Sequence, residues 1–194
     1  MREETRQRRH TAIAAAAYEL LAQKGYDGAS MLSIAKAAKA SNETLYKWYG
    51  DKQGLFQALV RDNAAQTEQV LKEAIEGDTD PMKSLQEIAP LFLGMLLGDR
   101  AVLLNRAAAA EPSGELGSAL SAGGREIVQP LFGNLIAQAT GTQGAQAAQL
   151  TAHFLGLLVG DLQIKRVIGV QNALTKSEID TQASTALLAF AKLV

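Results

Sequence analysis

Between Ser41 and Lys52 the chain gathers side chains able to exchange hydrogen bonds with a polyanion or with base edges: Ser41, Asn42, Glu43, Thr44, Tyr46, Lys47, Trp48 and Lys52. The first four are small or polar, the residue types that read donor and acceptor patterns in a major groove. Tyr46, Lys47 and Trp48 add donors suited to phosphate oxygens. Lys52 opens the following helix, where its ammonium and the helix N–H groups can hold a phosphate together. Leu45 and Tyr49 are spaced to fasten the other edge of the same short helix to a core. For Tyr46 and Trp48 periodicity also admits the plain reading of core aromatics, and Lys52 taken alone also reads as a solvated lysine at a helix start.

Competing chemistries find no support. The chain has no cysteine, which excludes disulfides and thiolate metal sites. His10 and His153 stand in different halves, and no carboxylate pair, nucleophile elbow or Gly-rich phosphate loop stands out. The expectation is therefore no enzyme, no metal and no cofactor. Residues 1–61 hold ten Lys/Arg against six Asp/Glu, and the remainder nine against fourteen. A basic head on an acidic body suits a polyanionic partner, although a balance of this size also arises by chance. The most apolar runs, Ile88–Gly98 and Phe154–Gly160, fall far short of a membrane span. Glu19 and helical periodicity in the apolar stretch after the charged start argue against a signal peptide. A soluble cytoplasmic protein is expected.

The elements that must position these residues are all helical. Ala and Leu dominate, and runs of β-branched residues are few. Ile13, Ala17, Leu20, Leu21 and the stem of Lys24 repeat at helical spacing until Gly25. Ser30 caps a second helix from Met31 to about Ala38, with Met31, Ile34, Ala35 and Ala38 inward. Lys39-Ala40-Ser41 turns the chain, and Ser41 caps a third helix from Asn42 to Tyr49. After Gly50, Asp51 caps a long fourth helix reaching about Ile75. Further helices are expected over about 81–97, with Pro81 at its first position, and over 99–110, 115–139, 144–168 and 176–193. Gly123-Gly124 softens the seventh, and Pro130 threatens to kink it. Two short helices on a tight turn, braced by a preceding helix, make a helix-turn-helix.

The run from Gly25 through Tyr26, Gly28, Ser30, Ile34 and Ala35, then Ser41-Asn42-Glu43-Thr44-Leu45-Tyr46-Lys47-Trp48-Tyr49 and Lys52, closely resembles the DNA-binding signature of the TetR family. The likeness covers about residues 8–56; beyond them only helix pattern and length agree. It implies a nine-helix, all-α fold: a helix-turn-helix domain at 1–54, then a ligand-binding and dimerisation domain at 55–194. It implies Thr44 and Lys47 facing the groove, with Tyr46 and Lys52 gripping phosphates. The chain departs from the family pattern at three positions. Asn42 stands where Lys or Arg is frequent, Trp48 where Tyr is common, and Leu32 where Arg is frequent. These departures bear on which DNA sequence is read, and Asn42 and Leu32 admit a second reading, a helical sensor or adaptor that has lost DNA binding. The run Arg2, Arg6, Arg8 and Arg9 reads either as an arm reaching DNA or as a solvated end.

The same resemblance implies a pocket among helices four to eight for an apolar or amphipathic small effector. Its candidate lining is Leu91, Phe92, Met95, Leu96, Leu103, Phe132 and Phe154, a stripe that more often reads as plain core. Arg106, His153 and Asp161 are the polar residues nearby that could orient a ligand, and each reads equally as exposed or held in an internal ion pair. A homodimer seam is expected on the last two helices, with Leu157, Gly160, Ile164, Leu187 and Phe190. There Gly156 and Gly160 allow close helix approach or ordinary packing within the chain. The expected partners are an operator in double-stranded DNA, the effector and a second copy of the chain, with no membrane. The implied activity is that of a repressor released from a palindromic operator by its effector.

Overall fold

The computed structural model describes residues 2–194, with side chains from residue 4 onward, and every regular element among them is helical. α1 (Arg2–Gly28, broken near its end by a non-helical Gly25 with a φ of +67°), α2 (Met31–Ala37) and α3 (Asn42–Tyr49) form a head, from which α4 (Lys52–Glu76) leads into a body. The body is built by α5 (Pro81–Leu97), α6 (Asp99–Ala110), α7 (Glu115–Leu120), α8 (Glu126–Thr140), α9 (Gly144–Val159), α10 (Leu162–Ile168) and α11 (Lys176–Phe190).

The nine expected helices are present, and two of them are interrupted. A π turn, Ser121–Arg125, separates α7 from α8 where Gly123-Gly124 had marked a weak point. A Cβ on Gly123 would come within 2.9 Å of Val60 Cγ1, so the bare backbone lets this turn close on α4. Pro130 is accommodated inside α8. The eighth expected helix breaks at Gly160, whose φ of +49° ends α9 before α10 begins. α1 is helical from Arg2, so the basic run is no free arm; the side chain of Arg2 lies outside the described residues.

Two apolar clusters meet in α4. The head cluster joins Ile13, Ala17 and Leu21 of α1, Met31 and Ile34 of α2 and Leu45 of α3 to Leu55, Phe56, Leu59 and Val60. Leu104 and Ala107 of α6 and Leu116 of α7 belong to it as well. The body cluster begins at Ala64 and continues through Leu71, Leu93, Phe132, Phe154 and Phe190. A displacement of α4 is therefore felt in both cores, because close-packed interiors transmit strain.

Candidate nucleic-acid interface

Short-range hydrogen bonds set α2 and α3. The Ser30 hydroxyl accepts from the Ser33 N–H at 3.1 Å, while the Ser30 N–H donates to the Ser33 hydroxyl at 3.0 Å, a reciprocal cap on α2. Lys39 takes a left-handed φ of 52° in the turn, and the Ala40 N–H donates to the Ala35 carbonyl at 2.9 Å. Ser41 caps α3 by accepting from the Thr44 N–H at 3.1 Å, and the two hydroxyls share a further hydrogen bond at 2.7 Å. Leu45 is fully buried, whereas Asn42, Glu43, Tyr46 and Lys47 are exposed. Tyr46 retains half of its surface, at 50% exposure, so it is no core aromatic. Leu32 on α2 is exposed as well.

The end of α3 is tied to both long helices of the head. Trp48 is half-buried, with the Arg6 guanidinium 5.8 Å from the centre of its ring. Tyr49 Oη lies 2.7 Å from His10 Nδ1, and His10 Nε2 lies 2.5 Å from Asp62 Oδ2. An ionised carboxylate only accepts, so Nε2–H donates to Asp62, and in the neutral imidazole Tyr49 O–H donates to Nδ1. Burial, reinforced by Asp62 and opposed by Arg6, pushes the Tyr49 phenol up to about 12 and keeps that proton in place. His10 was absent from the expected site, and Arg6 was expected only as part of an arm or a solvated end. A signal was available, because His10 and Arg6 precede Ile13 at helical spacing, His10 partly buried and Arg6 at the exposed margin of the same side.

Between α3 and α4, Gly50 takes a φ of +78°, and its N–H donates to the Tyr46 carbonyl. Asp51 caps α4 by accepting from the Gly54 N–H at 2.7 Å. A Cβ on Gly54 would stand 1.9 Å from the Tyr49 carbonyl oxygen, so only glycine fits this crossing. Lys52 Nζ sits 4.0 Å from the centre of the Tyr26 ring, and desolvation there lowers its pKa from the usual lysine value. In this conformation the ammonium is held by an aromatic face, and reaching a phosphate requires it to swing outward.

In the body, Phe92, Phe132, Phe154 and Phe190 follow one another in contact, with successive ring centres 4.8, 6.0 and 5.2 Å apart. Met95 and Leu96 are half-buried beside this run. Leu91 is 49% exposed, and Leu103 packs on the head cluster, so neither joins the aromatic run. The three orienting candidates take the second of their two readings. His153 and Asp161 are on the surface, Asp161 pairing with Lys165 at 2.7 Å. Arg106 spends its guanidinium on the carbonyls of Arg166 and Val167 at the end of α10. Arg166, overlooked in the sequence, is buried and donates to the Leu97 carbonyl at 3.0 Å and to Asp99 Oδ1 at 2.7 Å.

The expected seam divides. Leu157 and Ile164 are exposed, Gly160 is open to solvent, and among the described residues nothing outside its own helix lies within 4 Å of where a Gly156 Cβ would be. Leu187 is half-buried on the body core. Phe190 is corrected: it has no exposed surface and packs on Phe154, while Leu188 on the same helix points outward at 70% exposure. The helical period turns Phe190 inward in register with Ala183 and Ala186.

The sequence profile of the bacterial regulatory proteins, tetR family, matches residues 13–59. An uncharacterised HTH-type transcriptional regulator of Bacillus subtilis (strain 168), YdeS, is 49% identical over 43 residues, covering 22% of this chain and 22% of that protein. The chain thus aligns with under a quarter of that relative's length. A crystal structure of a TetR transcriptional regulator from Agrobacterium tumefaciens is 28% identical, with a TM-score of 0.73, over 95% of this chain and 93% of that one. A chain assigned to the same family from Mesorhizobium loti is 26% identical, with a TM-score of 0.77, over 96% of each.

Proposed function

The chain belongs to the tetR family of bacterial regulatory proteins, and from that premise we propose that it is a ligand-responsive repressor acting in the cytoplasm. As a homodimer it holds a palindromic operator, and it is a regulator rather than an enzyme. The observation that carries this reading is the division of α3: Leu45 wholly buried on one edge, Asn42, Glu43, Tyr46 and Lys47 exposed on the other. A helix so anchored presents a polar edge sized for a major groove. Ser41, Thr44 and Trp48 complete the reading surface, with Lys52 available to the flanking phosphate once it leaves Tyr26. Two heads on a two-fold axis would read half-sites ~34–36 Å apart.

The exposed residues Leu157, Ile164 and Leu188, beside the open glycines of α9, support a seam between copies. The buried aromatic run from Phe92 to Phe190 supports an apolar or amphipathic effector, admitted when α4, α5 and α8 part. An effector that prefers the parted body weakens DNA binding by the coupling between the two states, typically ~1–3 kcal/mol. α4 carries the coupling because both apolar clusters include it.

The test is selection from a random duplex pool by the full chain, followed by titration of the selected duplex across a salt series. Enrichment of an inverted repeat, with affinity falling steeply as salt rises, supports the reading. Failure to retain any duplex at low salt refutes it. Sedimentation of the free chain as a monomer at micromolar concentration would refute the dimer.

A further inference from the structure

We propose that the start of α1 is a second phosphate-contacting element, in which Trp48 holds the Arg6 guanidinium over one DNA strand and Arg9 stands beside it. This rests on the reading of α3 as the groove helix. Three observations lead to it. α1 is helical from Arg2, so its basic residues hold fixed directions. Arg6 is exposed and its guanidinium lies 5.8 Å from the centre of the Trp48 ring, which ties this turn to the end of α3. Arg9 is exposed one turn further on, at the i, i+3 spacing that sets two side chains side by side.

The placement decides what the arginines meet. A groove helix sends its first residues to base edges, and its far end passes the strand that borders the groove. Trp48 is at that far end, so a guanidinium resting on it stands over backbone rather than bases. Arginine suits the position because it both stacks on an aromatic face and presents a fork of donors to phosphate oxygens. An indole offers the best such face among the aromatics. The neighbouring carboxylate, Asp62, is engaged by His10 and sits further along the α1–α4 seam. Arg8 is two residues from Arg6 and so points to another side of α1.

The experiment titrates full-length wild type, R6A, R9A, R6A/R9A, R8A, W48L and W48L/R6A against two labelled duplexes across a salt series. One duplex is that selected by the wild type, and the other is of random sequence. Each lost phosphate contact should flatten the slope of log K against log salt by ~0.9, so R6A/R9A should lose ~1.8. Both duplexes should weaken by the same factor, because phosphate contacts carry no sequence information. R8A should leave the slope unchanged, and R6A should cost less in the W48L background than in the wild type. An unchanged slope in R6A/R9A overturns the proposal, and so does an R8A effect equal to that of R6A, which would reflect net charge alone. In either case wild-type binding leaves the reading of α3 standing. Absence of wild-type binding to both duplexes overturns the two together.

Discussion

Replacing Gly54 by alanine should damage the head at the crossing between α3 and α4. Gly54 is the third residue of α4, and for an exposed helical glycine the exchange would gain ~0.8–1 kcal/mol in helix propensity. Here the new methyl group would lie 1.9 Å from the Tyr49 carbonyl oxygen and 3.1 Å from its carbon. Both are backbone atoms, so the end of α3 must retreat by about 1 Å to restore even a 3.0 Å contact. Overpacking of this kind costs typically ~1–3 kcal/mol. A 1.9 Å approach to a backbone oxygen puts the cost at the top of that range, so the clash outweighs the propensity and leaves a net loss of about 2 kcal/mol, or roughly 4–8 °C in Tm for a chain of this size. The same shift moves Tyr46 and Lys47 relative to Lys52, so affinity for the selected duplex should fall as well. Differential scanning calorimetry of G54A beside G117A decides the matter. Gly117 in α7 faces open space, and alanine there should stabilise by roughly 0.5–1 kcal/mol. A G54A chain melting at or above the wild-type temperature would refute the reasoning.

Truncating Phe154 to alanine should cost ~3–5 kcal/mol in denaturant unfolding, since the ring is fully buried between Phe132 and Phe190; a loss below ~1 kcal/mol would mean the body collapses around the gap. In a double-mutant cycle, Y49F and D62N should be non-additive in stability by ~0.5 kcal/mol or more, because His10 bridges the two partners; additive losses would show that the bridge does not couple them. R166M should speed amide exchange in α10 well before it affects α3, since Arg166 pins α10 to the Leu97 carbonyl and Asp99; unchanged exchange in 162–168 would contradict that. Tyr49 is held protonated in the folded chain up to about 12. Its contribution to stability is therefore complete below the unfolded phenol value of ~10 and is lost as pH rises from there through about 12. Alkaline denaturant titrations should show a shallower fall for Y49F than for wild type, and identical curves would count against the buried phenol.

The chain's local chemistry determined much of the head. Ser30, Ser41 and Asp51 each bond a backbone N–H within their own first turn, and Gly50 takes a conformation that larger residues avoid. Such contacts span three or four residues, so their positions and the polar edge of α3 can be read from neighbours along the chain. The breaks at Ser121–Arg125 and Gly160 left only weak traces, a glycine pair in one case and a single glycine in the other. Partners distant in sequence were settled by packing. Arg6 meets Trp48, His10 joins Tyr49 to Asp62, and Arg166 reaches Leu97, each across dozens of residues. The inward turn of Phe190 and the outward turn of Leu188 belong to the same class. Periodicity states that a helix has a buried face, but the angle at which it meets its neighbours selects which polar side chains at the margin of that face find one another.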